Sequence, residues 1–340
     1  MKILLIDSLD HYGGVTTHII NLANVLNELG CSITLMAPNI DIYKKNIHRG
    51  IELIQFCKFN LKKDFPINFL NQFDIINSNA YVEVNTYLLE MSKRKFKLII
   101  TIHEVMKSES IKIYHEYYDK LKKSDCIVTV SLAARKILIE NGFKESLIET
   151  IYNGIEVENQ SSQYKRKDIA FVGRLAEEKN ILGLLEAMSE LENDDIKLNI
   201  YGDGNMKEQL ELYIEKYHMR NRCILHGFNN NIKDILRKHK ILILPSITES
   251  CSYTLLEGMS NHIFVIASEC DGNRELVINN VTGAIVNCND PAMLAQNIQY
   301  WYFHDEQRIA LIENAFYRIK KYYTIKEMGK NFLDLYKKLL

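Results

Sequence analysis

Apolar runs just long enough for a buried strand recur along this chain, and between them the hydrophobic spacing becomes helical. KILLID (2–7) precedes a helical pattern over 15–29 that stops at Leu29-Gly30, and SITLMA (32–37), DIINSN (74–79), KLIITI (97–102) and CIVTVS (126–131) continue the series. SLAARKILIENG (131–142) has helical spacing, with Ser131 placed as its N-cap. After the polar stretch ENQSSQYKRK (158–167) the alternation restarts with DIAFVG (168–173), KLNIYG (197–202), CILHGF (223–228), KILILPS (240–246) and IFVIAS (263–268). Strands of continuous apolar character alternating with helices predict parallel sheets covered on both faces. The polar break divides the series, so the expectation is α/β, with two Rossmann-like doubly wound domains, 1–155 and 156–320. The 340 residues suit two cores better than one. The segment from about 304 reads as helix-forming, and its end, 321–340, is expected to return to the first domain.

Composition removes several function classes. The net charge of −1 gives no global field for nucleic acid. No run of 18 or more apolar residues is present, so no transmembrane helix is expected. MKILLID lacks a small-residue cleavage site and reads as a strand, not as a signal peptide. Seven cysteines without a CxxC pair point to a reducing, cytoplasmic setting. The histidines are scattered, and the neighbouring pair Asp194-Asp195 precedes a strand, at the wrong sheet edge for a metal–diphosphate site. No metal and no other cofactor are expected. KRKFK (93–97) and Lys120, Lys122 and Lys123 form local basic clusters. They read first as solvated faces and second as a peripheral contact with an anionic membrane, such as the inner face of a plasma membrane.

In open parallel sheets ligands bind beyond the carboxyl ends of the strands, so the loops there are read together. Gly13-Gly14 opens the first helix, where backbone can approach a ligand and free N–H groups can meet an anion; a plain tight turn is the alternative. His103 follows the strand 97–102. Gly173-Arg174 and Lys179 follow the strand 168–173, and cations at a helix start oppose the helix dipole unless an anion is bound. Gly202-Asp203-Gly204 is a weak glycine signal, and the loop around Phe228 suits a base edge. ITESCSYTLLEGM (247–259) places Glu249 in the loop beyond a strand and Glu257 on the helix that follows, eight residues on, so that Glu257 is expected near the face set by Glu249. An apolar context such as Leu255-Leu256-Glu257-Gly258-Met259 requires a partner for that carboxylate.

Taken together, Glu-x7-Glu at 249–257, GR-x4-K at 173–179, GxG at 202–204, the Gly-Gly loop, NGI at 153–155 and ELVINNVTGAIV at 275–286 resemble retaining glycosyltransferases of the GT-B fold, family four (glycosyl transferases group 1). The resemblance spans nearly the whole chain and implies two Rossmann-like domains facing a central cleft. It implies a hexosyltransferase-type enzyme moving a sugar from a nucleotide sugar, a UDP-sugar first, to a glycan, lipid-linked or small-molecule acceptor. Arg174 and Lys179 would hold the donor diphosphate, helped by the Gly14 amide and by Tyr253 and Thr254. Glu257 would accept the ribose hydroxyls. Glu249, with Cys251 and Ser252, would contact the transferred sugar, and His103 would lie near its reactive end. Gly204 and Phe228 would border the base. Ser250 and Cys251, and CDGNRE with Arg274 before Glu275, depart from the family pattern at the sugar end.

Two other classes compete. A nicotinamide-dependent oxidoreductase needs GxGxxG after the first strand, which SLDHYGGV lacks. A non-catalytic partner of the same fold would have no need of Arg174, Lys179, Glu249 and Glu257 together.

Overall fold

The computed structural model describes residues 1–57, 60–105, 108–158, 166–191, 193, 195–229 and 231–340. Most of the polar break at 158–167, and Asp194 of the aspartate pair, lie outside the described residues. The chain forms two compact units, Met1–Gly154 with Ile325–Leu340, and Ile155–Thr324.

The first unit is built on seven strands: β1 Lys2–Asp7, β2 Ser32–Ala37, β3 Glu52–Gln55, β4 Ile75–Asn79, β5 Lys97–Ile102, β6 Cys126–Thr129 and β7 Ile148–Thr150. Their order is β3-β2-β1-β4-β5-β6-β7, with every pairing parallel. The β1 side chains alternate between two buried layers, Ile3 and Leu5 in one, Leu4 and Ile6 in the other. This is the two-face burial that continuous apolar strands require. Ser131 caps the helix Leu132–Glu140, its Oγ accepting from the Ala134 amide at 3.1 Å.

The helices Gly14–Glu28 and Ile325–Leu339 pack together over one face of this sheet, with Met328, Phe332, Leu335 and Tyr336 against Ile19, Leu22 and Leu26. A Cβ at Gly329 would lie 2.5 Å from a Val25 methyl, so glycine sets the close approach of these helices. Tyr336 then reaches the sheet: the Asn77 amide donates to its hydroxyl at 2.7 Å, and Thr101 donates to Asn77 Oδ1 at 2.7 Å.

The second unit carries β8 Ile169–Val172, β9 Leu198–Tyr201, β10 Cys223–Gly227, β11 Ile241–Leu244, β12 Phe264–Ser268 and β13 Ala284–Val286. Their order is β10-β9-β8-β11-β12-β13, again all parallel. Both sheets are therefore doubly wound. The order reverses between β1 and β4 in the first and between β8 and β11 in the second, and these are the positions where such sheets bind ligands.

The C-terminal segment is not one continuous helix. It forms Asp305–Tyr322 in the second unit and Ile325–Leu339 in the first. Between them Tyr323 gives its carbonyl to the Ile155 amide at 2.8 Å, and Ile155 bridges Thr324, so strand-like pairing replaces helix at that point.

The two basic clusters of the first unit are adjacent, since Arg94 donates to the Lys123 carbonyl at 2.7 Å. Much of their charge is paired: Arg94 and Lys97 with Asp125, Lys120 with Glu90, and Lys122 with Asp119. Among the described residues, no helix is long and apolar enough to cross a membrane.

Candidate active site

In the second unit the site grows from the reversal between β8 and β11. The chain leaves β8 through Gly173, Arg174 and Leu175 and makes a short 3-10 turn at Glu177–Lys179. Asn180, in the left-handed region (φ 51°), then redirects it into the helix Ile181–Glu190. The Asn180 amide donates to the Cys288 carbonyl at 3.0 Å, which fixes this corner. The chain leaves β11 through Ser246 and Ile247, and the Ile247 amide donates to the Glu178 carbonyl at 2.8 Å. These backbone links bring the two loops together.

The result is a contact between residues seventy positions apart. Lys179 Nζ lies 2.5 Å from Glu249 Oε1, with the two side chains 20% and 11% exposed. The buried Ser246 hydroxyl donates to the same oxygen at 2.8 Å. Behind it, the Ser246 carbonyl accepts from Ser268 Oγ, and Ser268 Oγ accepts from the fully buried Asn273 amide at 2.9 Å. Gly272 holds this arrangement closed: a Cβ there would lie 2.2 Å from the carbonyl oxygens of Glu249 and Ser250. Arg174, by contrast, is exposed and paired with Glu178.

Glu249 precedes the helix Tyr253–Ser260, so the helical spacing with Glu257 expected from the sequence does not apply. Ser252 is the N-cap, its hydroxyl accepting from the Leu255 amide. Tyr253 and Thr254 occupy the first turn, where backbone amides lack helical partners. Ser252 therefore has a capping task whatever else it meets, and Cys251 is buried. Glu257 lies on the same helix, and desolvation pushes its carboxyl up to about 7. A carboxylate beside the buried Leu255, Leu256 and Met259 is poorly solvated and gains from a ligand that donates hydrogen bonds.

The glycine pair 202–204 has a reason in the fold. Both residues have positive φ, and a Cβ would lie 1.8 Å from the Gly173 carbonyl oxygen at Gly202 and 2.3 Å from that of Leu175 at Gly204. Leu175 N–H donates to the Asp203 carbonyl and Met206 N–H to that of Leu175, so this loop is laced to the Arg174 loop. Phe228 is largely exposed.

In the first unit, Gly13 is the extended N-cap of the helix beginning at Gly14, and a Cβ at Gly13 would meet nothing within 4 Å. Neither strain nor packing within the protein demands that glycine. His103 follows β5 and is only partly buried, yet desolvation and the neighbouring His18 hold it well below the ordinary histidine range. Its Nε2 meets Asn79 Oδ1, at the end of β4, at 2.7 Å. His18, from the helix Gly14–Glu28, meets His103 edge to face with centroids 4.7 Å apart.

Structure thus adds Ser246, Ser268, Asn273, Glu178, Asn79 and His18 to the residues expected from sequence. Ser246 and Asn79 stand at strand ends and could have been found by position. His18 sits within an apolar helical pattern and carries no separate signal.

Comparison with known proteins adds a third line to fold and geometry. Residues 155–318 match the family model of glycosyl transferases group 1, and residues 12–159 that of glycosyltransferase family 4. An uncharacterised glycosyltransferase of Methanocaldococcus jannaschii is 26% identical over 97% of this chain and 96% of its own length. The Campylobacter jejuni N-acetylgalactosamine-N,N'-diacetylbacillosaminyl-diphospho-undecaprenol 4-alpha-N-acetylgalactosaminyltransferase is 28% identical over 60% of this chain and 58% of its own. Among solved structures, Anabaena HepE in complex with UDP-glucose superposes with a TM-score of 0.89 at 17% identity, covering 99% of this chain and 100% of that one.

Proposed function

The chain is a GT-B glycosyltransferase, and from that premise we propose that it transfers a sugar from a UDP-sugar to an acceptor hydroxyl with retention of anomeric configuration, in the assembly of a lipid-linked glycan. One observation carries the assignment of the site: the Lys179–Glu249–Ser246 constellation, assembled where the strand order of the second sheet reverses and next to a helix N-terminus. The donor is suggested by the UDP-glucose bound in HepE, and the acceptor by the diphospho-undecaprenol named for the Campylobacter relative. A lipid-linked acceptor would bring the enzyme to a membrane face as a peripheral protein.

Cleavage of a glycosyl–phosphate bond develops negative charge on the departing diphosphate, and fixed donors aimed at that charge supply the largest catalytic contribution. Lys179, Arg174 and the amides of Tyr253 and Thr254 fill that role here, which makes the reaction independent of a metal ion. Glu257 accepts the ribose hydroxyls as a paired acceptor. Glu249 receives the sugar hydroxyls, and Gly14 and His103 keep the roles that the family resemblance implies. Gly204 and Phe228 border the base.

The state of Glu249 bears on how configuration is retained. One of its oxygens already accepts from an ammonium and a hydroxyl. A carboxylate so neutralised is a weak nucleophile, which favours front-face displacement over a covalent intermediate on Glu249. In the front-face path the acceptor hydroxyl passes its proton to the departing phosphate as the new bond forms.

The test is a panel of nucleotide sugars incubated with the protein in the presence of EDTA. Slow nucleotide release from a UDP-sugar, undiminished by the chelator, is expected. Absence of binding to every nucleotide and nucleotide sugar overturns the assignment, and activity restored only by a divalent ion overturns metal independence.

A further inference from the structure

The first unit holds two histidine–asparagine pairs in contact near the reversal of its own sheet. His103 Nε2 lies 2.7 Å from Oδ1 of Asn79, the last residue of β4. His18 Nδ1 lies 2.9 Å from Oδ1 of Asn153. The imidazoles meet at 4.7 Å with planes 73° apart, and Phe332 closes on His18 at 5.7 Å. His18 is fully buried and Asn79 is 7% exposed. Among the described residues, His18 Nε2 and Asn79 Nδ2 meet no hydrogen-bond partner.

Burial sets the protonation of both rings. His18 is lowered to about 4 and His103 falls well below the ordinary range, so each carries a single ring hydrogen at neutral pH. The titratable group facing His103 is His18, and Glu104 follows it in the chain. In a neutral imidazole one nitrogen donates and the other accepts, and the neighbour of one nitrogen decides the state of the other. A carboxamide oxygen facing Nε2 is satisfied only by a hydrogen on Nε2. The lone pair then lies on Nδ1.

Asn79 is a costly residue for packing alone. A buried amide left half-satisfied destabilises a fold, and β4 could end on an apolar residue instead. We propose that Asn79 is a positioning residue for His103: it holds the hydrogen on Nε2 and so presents an unprotonated Nδ1 as the ring's hydrogen-bond acceptor. His18, held by Asn153 through Nδ1 instead, packs on the ring and adds no charge. The proposal rests on the reading of His103 in the transfer reaction only for its effect on turnover, because the tautomer can be measured without substrate.

The experiment is nitrogen-15 NMR of the full-length protein with labelled histidine, the His103 signals being assigned by their loss in His103→Gln. In the wild type, His103 is expected to show a protonated Nε2 and an unprotonated Nδ1 at pH 7. Asn79→Leu removes the acceptor and should shift His103 toward the Nδ1–H form while leaving the His18 signals in place. Asn79→Asp keeps an acceptor at Nε2 and adds a negative charge, so His103 should keep its Nε2 hydrogen and titrate at higher pH. A wild-type His103 protonated on Nδ1, or an Asn79→Leu tautomer identical to wild type, overturns the proposal. Kinetics separate it from the functional reading. Asn79→Leu should lower kcat by on the order of 10²-fold with KM little changed, with partial recovery in Asn79→Asp. A shifted tautomer with unchanged kcat would uphold the positioning and remove His103 from the reaction.

Discussion

Lys179 and Glu249 form a 2.5 Å ion pair between the loop after β8 and the loop after β11, so a cation and a carboxylate assigned to different parts of a nucleotide sugar already hold each other. The pair is shielded enough that breaking it leaves a partly buried charge. The stability loss should fall between the about 0–1 kcal/mol of exposed pairs and the about 3–5 kcal/mol of fully buried ones. For catalysis the expectation is larger. Lys179→Met removes a cation proposed to face the diphosphate and should lower kcat by about 10²–10³-fold. A double-mutant cycle with Glu249→Gln should show that the two effects are not additive, with a coupling of about 0.5–3 kcal/mol. Strictly additive losses would mean that the two residues act independently.

Glu257 supplies a pH dependence of defined sign. Its carboxyl is raised to about 7 by desolvation, so between the ordinary value of 4.5 and about 7 the folded protein holds a proton that the unfolded chain has released. Stability contributed by this group therefore falls as pH rises through that window. Glu257→Gln removes the titration, and its melting temperature should exceed that of wild type at pH 8 and match it at pH 5. Under the proposed ribose contact donor affinity runs the other way, because the ionised carboxylate is the better acceptor for hydroxyls. In wild type KM for the donor should fall as pH rises through 7, and in Glu257→Gln it should be raised about tenfold and lose that dependence. A variant with unaltered donor KM would remove Glu257 from the ribose.

The long-range architecture was legible where it rested on continuous apolar runs. KILLID and ILIL became central strands because only buried positions in a parallel sheet accept such segments. The strands β3 (ELIQ), β7 (IET) and β13 (AIV) carry no such signal, being short and at or near sheet edges. Individual site residues could be placed by their position after strands, but their relations could not. The meeting of Lys179 and Glu249 depends on β8 lying beside β11, which no local pattern encodes. The sequence places Glu249 in the loop beyond the strand, as observed, but helical spacing cannot relate it to Glu257, because Ser252 starts that helix three residues later. The break at Tyr323-Thr324 was equally hidden: no proline or glycine marks it, and its cause is pairing with Ile155.

Gly202 and Gly204 separate a fold requirement from a ligand requirement. Each combines positive φ with a backbone oxygen where a Cβ would go. Gly204→Ala should therefore destabilise the nucleotide-free protein by more than about 1 kcal/mol and lower its melting temperature. Gly13→Ala, with open space around its Cβ, should leave the melting temperature of the ligand-free protein unchanged and lower donor affinity if backbone at that loop approaches the diphosphate. Thermal unfolding with and without UDP reads both. Equal destabilisation by the two variants would contradict the distinction.

The docking of the last helix onto the first unit is specified by a polar group as well as by apolar packing. Asn77 and Tyr336 are both fully buried, and the Asn77 amide donates to the Tyr336 hydroxyl at 2.7 Å while Asn77 Oδ1 accepts from Thr101. Tyr336→Phe keeps the ring and strands one amide hydrogen, so it should destabilise by about 1–3 kcal/mol. Replacing Asn77 by leucine in the same chain removes the stranded donor, and the double variant should recover part of that loss. Chemical denaturation of the single and double variants measures both steps. Gly329→Leu gives a sharper outcome, since a side chain there meets Val25 at the helix contact and should release the C-terminal helix to proteolysis while the second unit stays resistant. A protease-resistant Gly329→Leu protein would show that this contact tolerates a wider spacing than the structure has.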